Sequence, residues 1–199
     1  MLTRRTLLTA LGTAQIVAPR ARAEGADAAG AFIDKLLRDL IAVVDGPGSI
    51  ADKKAALVKI VDATVDLAGV AQFCLGRYWR AATEAQRRDY TDLFHRVLVK
   101  NVTGKVGDYH GVTFTVGRTA LRDDQFDVST VVNRPGNAPN KVDWLVSMAG
   151  GSPKIVDVIA EGVSLRLTQR EDYTGFLSRN NNNVQALIDA MRQQADSPQ

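Results

Sequence analysis

The stretch Val112-Thr-Phe-Thr-Val116 alternates apolar and threonine side chains, and with it the hydrophobic period of the chain changes from that of a helix to that of a strand. The same alternation recurs in 126–132 and in Lys141-Val-Asp-Trp-Leu-Val-Ser-Met148. A fourth apolar run, 154–160, follows a turn of Gly150-Gly-Ser-Pro153. Because the connections between these runs are short, we predict four neighbouring antiparallel strands.

The residues on both sides of this region follow a helical period instead. The predicted helices are 26–44, a segment that starts at Ser49, 65–76, a segment that starts at Thr83, 167–179 and 184–194. Thr83 and Gln86 have the spacing of a capping box and precede the clearest apolar stripe in the chain. The order of elements predicts an α+β domain, in which N- and C-terminal helices cover a curved four-stranded antiparallel sheet.

The first 23 residues have the pattern of a cleavable export signal. A basic Arg4-Arg5 pair precedes an apolar stretch of twelve residues, 7–18, and Ala21-Arg-Ala23 is a small-x-small cleavage site. The apolar stretch is shorter than the roughly 20 residues that span a bilayer. Both the twin-arginine and the general secretory route fit this pattern. We therefore predict a signal peptide over 1–23 and a soluble periplasmic domain over 24–199.

The charge of the chain is unevenly distributed. It has 25 lysines and arginines against 22 acidic residues, a net charge of +3. Four arginines and no acidic residue precede position 24, so the remainder has 21 basic and 22 acidic residues and a net charge of −1. Binding to DNA or RNA requires a clustered basic surface. The sequence therefore predicts that no nucleic acid is a partner.

Candidate catalytic side chains are few. His95 and His110 have no Cys or second His at metal-ligand spacing, and the single cysteine, Cys74, lies between two apolar residues on a predicted helix. The acidic pairs Asp123-Asp124 and Glu171-Asp172 are consecutive, so their side chains point apart. Glycine-rich phosphate loops and Gly-x-Ser-x-Gly do not occur. We predict that the protein is not an enzyme and uses no metal or cofactor.

Large apolar side chains occur both on the predicted strands and on the helices predicted to face them. They form either a packed core or the wall of a cavity, and the residues alone leave both possibilities open. They are Phe114, Phe126 and Trp144 on the sheet, and Phe73, Trp79, Tyr90, Phe94 and Phe176 on the helices.

Two motifs carry a resemblance to a known family. The first is Leu75-Gly-x-x-Trp-Arg80, and the second, more specific one is Asp157-Val-x-x-Glu-Gly-Val-Ser164, which leads into a terminal helix. Together they resemble the MlaC family, also called toluene-tolerance proteins, and the likeness covers nearly all of the chain after residue 23. The sequence departs from the family at four asparagines, 180–183, where the family usually has a glycine-containing turn.

The resemblance implies a periplasmic lipid carrier without enzymatic activity. Such proteins hold the acyl chains of a phospholipid in a hydrophobic cavity between sheet and helices. They shuttle the lipid between an outer-membrane lipoprotein complex and an inner-membrane ABC transporter with a mammalian-cell-entry domain. The residues that we expect to line the cavity are Phe73, Trp79, Phe94, Val97, Leu98, Phe114, Val128, Trp144 and Val146.

Three alternatives stay open. A hopanoid-associated subgroup of the family, HpnM, implies a hopanoid in place of a phospholipid. A periplasmic adaptor would carry no ligand at all. A secreted hydrolase would need a nucleophile and a base that the sequence does not display.

Overall fold

The computed structural model describes residues 18–198, so most of the predicted signal peptide lies outside the described residues. The elements in this part of the chain are α1 (Ala18–Asp45), α2 (Ile50–Thr64), α3 (Leu67–Leu75), α4 (Tyr78–Ala81), α5 (Glu84–Thr103), a 3-10 turn (Val106–Tyr109), β1 (Thr113–Arg122), β2 (Gln125–Asn133), β3 (Asn140–Ser147), β4 (Lys154–Ala160), β5 (Val163–Ser164), α6 (Leu165–Arg179) and α7 (Val184–Asp196). Helix α1 begins eight residues earlier than predicted and passes through the predicted cleavage site after Ala23.

The strands form one antiparallel sheet in the order β1-β2-β3-β4-β5. The four predicted strands and the α+β class are confirmed, and a fifth strand of two residues is added at the edge of β4. The register shifts between Val116 and Thr119 on β1, and between Leu145 and Val146 on β3. Such bulges bend a strand and increase its twist. The sheet is therefore distorted at two places along its length.

Helix α1 packs on one face of the sheet, over β1 and β2. We call this the inner face. Two glycines let the helix approach closely: a β-carbon built on Gly25 would lie 2.6 Å from Cζ of Phe126, and one on Gly30 would lie 3.0 Å from Oγ1 of Thr119. The short distance between helix and sheet therefore depends on the absence of side chains at these positions.

A second hydrophobic core, which we call the helical core, lies among α3 to α7. Its centre is Tyr90 of α5, which is fully buried and donates a hydrogen bond to the carbonyl of Ala71 at 2.9 Å. The rings of Trp79, Phe94 and Tyr173 lie 6.0 to 6.5 Å from the ring of Tyr90, centroid to centroid. The C-terminal helices thus pack on α3 and α5 and reach the sheet through α6 and β4.

The Asp157-Val-x-x-Glu-Gly-Val-Ser164 motif builds the turn between β4 and α6. The buried carboxylate of Asp157 accepts hydrogen bonds from the hydroxyl of Ser164 at 2.6 Å and from the backbone N–H of Arg166 at 3.1 Å. Ser164 is also the N-cap of α6 and accepts from the N–H of Leu167. Glu161 and Gly162 turn the chain with φ of 50° and 82°. The motif therefore fixes how the sheet is joined to the helical core.

We expect Ser164→Ala to lower the free energy of unfolding by about 1 to 2 kcal/mol, because it removes a helix cap and one partner of a buried carboxylate. Chemical denaturation measures this change. Ser178→Ala is a matched control on the same helix, since Ser178 is exposed, its hydroxyl donates to the carbonyl of Thr174, and it caps no helix. An equal, small loss for both variants would contradict a structural role for the motif.

The asparagines at 180–183 replace the expected glycine without loss of the turn. Asn181 and Asn182 have φ of 54° and 57°, the left-handed conformation that asparagine tolerates better than most residues. Asn183 is the N-cap of α7 and accepts from the N–H of Gln185. The four asparagines therefore turn the chain into α7 without a glycine.

Candidate functional site

The candidate site is the inner face of the sheet beneath α1. The register places Phe126 opposite Val146, Val128 opposite Trp144, and Trp144 opposite Val158. Val128 and Val146 have no exposed surface. Helix α1 supplies the other side of this apolar layer with its buried residues Ala29, Ile33, Leu36 and Leu37. The site is thus a hydrocarbon-like layer between α1 and strands β1 to β4.

Part of the inner face is only half covered. Val142, Trp144, Val158 and Ala160 of β3 and β4 are half-buried. The polar groups here are satisfied internally: the indole Nε1 of Trp144 donates to Oγ1 of Thr130 at 3.0 Å, and this hydroxyl donates to the carbonyl of Val142 at 2.8 Å. This part of the face therefore offers an apolar surface that a ligand can reach.

The structure brings together four of the nine residues that the sequence assigned to the site. Phe114, Val128, Trp144 and Val146 belong to the layer beneath α1. Phe73, Trp79 and Phe94 lie in or against the helical core instead. Val97 is buried and Leu98 half-buried on α5, a helix that packs on α2, α3 and α7. Whether any of the nine touches a lipid stays a prediction.

Sequence reasoning did not assign α1 to the site. The helix itself was predicted from its apolar stripe, but the stripe of α5 is clearer, and periodicity does not say which helix faces the sheet. One signal was available: the stripe on α1 begins with small side chains, which suit a close approach to strands. These are Gly25, Ala26, Ala29 and Gly30.

Two surface pockets of about 330 and 360 Å³ lie on the helical core. The first lies along α6 and α7 and is lined in part by Glu171, Asp172 and Arg179. The second lies between α5 and the C-terminal end of α7, beside Arg96 and Lys100. Neither is lined by a sheet residue. Both walls combine charged side chains with apolar ones such as Phe176 and Val99, so neither pocket is a purely apolar site.

The titratable side chains singled out in the sequence have structural partners. The Nε2 of His95 lies 2.7 Å from Oδ1 of Asp62, and the Nδ1 of His110 lies 2.6 Å from Oδ1 of Asp45. Each contact joins two distant segments of the chain at the protein surface. The backbone N–H of Gly111 hydrogen-bonds to Asp45, and this contact holds the pKa of the Asp45 carboxyl below its usual value.

Cys74 lies in the helical core, with its Sγ 3.6 Å from the carbonyl of Arg166. Burial raises the pKa of its thiol to about 12. Over residues 18–198, no group of His, Cys, Asp or Glu is arranged to hold a metal ion. No helix in the same range combines the length and the hydrophobicity that a membrane span requires.

Comparison with known proteins supports the resemblance seen in the motifs. The toluene tolerance protein Ttg2D of Pseudomonas putida is 27% identical over 137 residues, which cover 67% of this chain and 63% of that relative. This chain therefore spans less than two thirds of the relative's length. A phospholipid-binding protein from Ralstonia solanacearum, solved in complex with a phospholipid, has the same fold, with a TM-score of 0.75 at 20% identity. The match covers 84% of this chain and 96% of the other.

A family model described as MlaC protein matches residues 32–193, from the middle of α1 to α7. The match includes both motifs, the whole sheet and the helical core. The chain belongs to the MlaC family.

Proposed function

We propose that this protein is a lipid carrier that binds the acyl chains of a phospholipid at the inner face of the sheet. The observation that carries the proposal is the apolar layer beneath α1, whose open part at Val142 and Trp144 has its polar groups satisfied internally. The shared fold with a phospholipid-binding protein supports it. The match to the MlaC family model supports a carrier rather than an enzyme.

The carrier works in the periplasm under this proposal. It receives and delivers its lipid at an outer-membrane lipoprotein complex and at an inner-membrane ABC transporter with a mammalian-cell-entry domain. Burying about 30 methylenes at roughly 0.8 kcal/mol each contributes on the order of 20 to 25 kcal/mol, which opposes release of the lipid into water. The lipid must therefore leave where another apolar channel receives it.

Loading requires α1 to move away from the sheet. Val128 and Val146 have no exposed surface, so side chains already occupy the space beneath the helix. The apolar contact between α1 and the sheet differs along the helix. The first part of α1 faces the sheet with small residues such as Gly25 and Ala29, whereas the later part faces it with the larger Ile33 and Leu36. Separation costs free energy in proportion to the apolar area exposed. The first part of α1 therefore separates more easily and admits the chains.

Solvent extraction followed by mass spectrometry tests the proposal directly. We expect the protein purified from its own bacterium, without detergent, to release a phospholipid in an amount comparable to the protein. A polycyclic triterpenoid in the extract would identify the hopanoid-binding alternative. An extract free of lipid, from a protein shown to be folded by circular dichroism, would favour the adaptor and contradict the carrier. Turnover of a chromogenic ester would point to a hydrolase.

A further inference from the structure

A hydroxyl group lies among the apolar side chains that β2 contributes to the inner face. It belongs to Thr130, which is 1% exposed. The other inner-face residues of this strand, Phe126, Val128 and Val132, are apolar and buried. A buried hydroxyl costs free energy unless it is hydrogen-bonded, whereas a valine of nearly the same shape carries no such cost. Packing alone therefore does not account for a threonine at this position.

The hydrogen bonds of Thr130 fix the indole ring of Trp144 to the sheet. The Nε1 of Trp144 donates to Oγ1 of Thr130 at 3.0 Å, and this Oγ1 donates to the carbonyl of Val142 at 2.8 Å. An indole N–H can only donate and a carbonyl can only accept, so the direction of both bonds is determined. The hydroxyl therefore links the one polar atom of the ring to the backbone of β3, the strand that carries the ring.

The register of the sheet arranges part of the inner face in three rows of side chains that cross β2, β3 and β4. The open row is Thr130, Val142 and Ala160, the middle row is Val128, Trp144 and Val158, and the covered row is Phe126, Val146 and Ile155. Two residues of the open row and two of the middle row are half-buried, whereas all three of the covered row are buried. The middle row therefore lies at the boundary between the open and the covered part of the inner face.

The ring of Trp144 is the largest side chain at this boundary, and it lies between two valines in the middle row. An acyl chain that extends from the open row to the first part of α1, where Gly25 approaches Phe126, must cross this row. Because the indole N–H is bound to Thr130, the ring presents hydrocarbon to such a chain. The width available to the chain therefore depends on the position of the ring.

We propose that Thr130 is a positioning residue that holds the ring of Trp144 across the inner face, and that the held ring makes the carrier select straight acyl chains over methyl-branched ones. This inference rests on the proposed carrier function. A ring that is bonded to the sheet does not yield to a wider chain, and extra methyl groups forced into a packed apolar space cause strain. A ring that is free to turn makes room for them. One methylene changes the fit to an apolar site by about tenfold or more, so we expect a preference of about tenfold.

Lipid uptake from mixed vesicles tests the inference. The full-length mature protein is freed of bound lipid by denaturation and refolding, and is then incubated with vesicles of equal amounts of dipalmitoyl and diphytanoyl phosphatidylcholine, at a temperature where both lipids are fluid. The two lipids share a headgroup and main-chain length and differ in their methyl branches. Mass spectrometry of the protein-bound lipid gives the ratio. We expect Thr130→Val to lose the preference of the unmodified protein, and Thr130→Ser, which retains a hydroxyl, to keep it.

The same hydrogen bond is also removed from its other end. Trp144→Phe keeps an aromatic ring but has no N–H, so we expect it to lose the preference as well. Combining it with Thr130→Val should cause no further loss, because both substitutions remove one interaction. Thr115→Val is the matched control, since it makes the same substitution at an exposed threonine of β1, and its preference should equal that of the unmodified protein.

An unchanged preference in Thr130→Val, with folding shown by circular dichroism, would overturn the positioning role. If that variant does not fold, Trp144→Phe decides, and a preference that it retains in full would overturn the inference. Equal uptake of both lipids by the unmodified protein would do so too. A folded, unmodified protein that takes up neither lipid contradicts the carrier function itself, whereas uptake without a preference contradicts only the selection of chains.

Discussion

A disulfide between α1 and β1 is expected to abolish lipid loading, and reduction should restore it. The positions for Gly30→Cys and Thr119→Cys are close, since a β-carbon on Gly30 would lie 3.0 Å from Oγ1 of Thr119. Disulfides need β-carbons roughly 3.5 to 4.5 Å apart, so only a small adjustment of the helix is required. The bond would prevent α1 from separating from the sheet, and chains could no longer enter beneath it.

Uptake of a fluorescent phospholipid from vesicles measures the effect. We expect the oxidised double variant to take up about tenfold less lipid than the same protein after dithiothreitol. Each single-cysteine variant, treated with the same oxidant, controls for the substitutions. Full uptake by the crosslinked protein would show that the chains lie elsewhere, with the helical core around Phe73, Trp79 and Phe94 as the next candidate.

Val146→Glu is expected to destabilise the protein by several kcal/mol. The side chain of Val146 has no exposed surface and lies in an apolar layer with Phe126 and Ile155, where a carboxylate has no partner. A buried, unpaired charge typically costs about 3 to 5 kcal/mol. Because the new side chain also occupies the proposed lipid site, we expect the fraction that remains folded to carry no lipid.

Val131→Glu is the matched control, since Val131 is 40% exposed on the neighbouring strand β2. Its effect on the free energy of unfolding should stay within about 0.5 kcal/mol. Chemical denaturation followed by circular dichroism compares the two variants, and solvent extraction reports their lipid. A Val146→Glu protein that is as stable as the control and fully loaded would remove this residue from both the core and the site.

The elements of the fold that sequence predicts well are those with local signals. The helix starts at Ser49 and Thr83 were correct, because each residue forms a capping box with a side chain three positions later. Strands β1 to β4 were visible from their alternation. Strand β5 was missed because two residues are too few to show a period. Helix α4 was missed because it is a single helical turn, which begins after the chain changes direction at Gly76, with φ of 57°.

The site was harder to predict than the fold because it depends on which helix meets the sheet. Both α1 and α5 have an apolar stripe, and each stripe is buried in the structure. Phe94 faces Tyr90 and the helical core, whereas Ile33 faces the strands. The difference comes from packing between distant parts of the chain, such as Gly25 against Phe126, which no local pattern contains. The strand residues of the site were predictable because alternation alone assigns them to one face.

The reactivity of the buried Cys74 thiol reports when the helical core opens. A maleimide or a disulfide reagent reacts with the thiolate form of cysteine. Because the pKa of Cys74 is raised to about 12, little thiolate is present at neutral pH, and burial also blocks access of the reagent. Labelling at Cys74 therefore requires the helical core to open, and its rate follows that event rather than movement of α1. Two cysteines added on α1 and β1 would meet no competing native thiol, so oxidation of the folded protein should give a single, defined crosslink. Mass spectrometry of intact protein can thus follow opening of the core without any added label site.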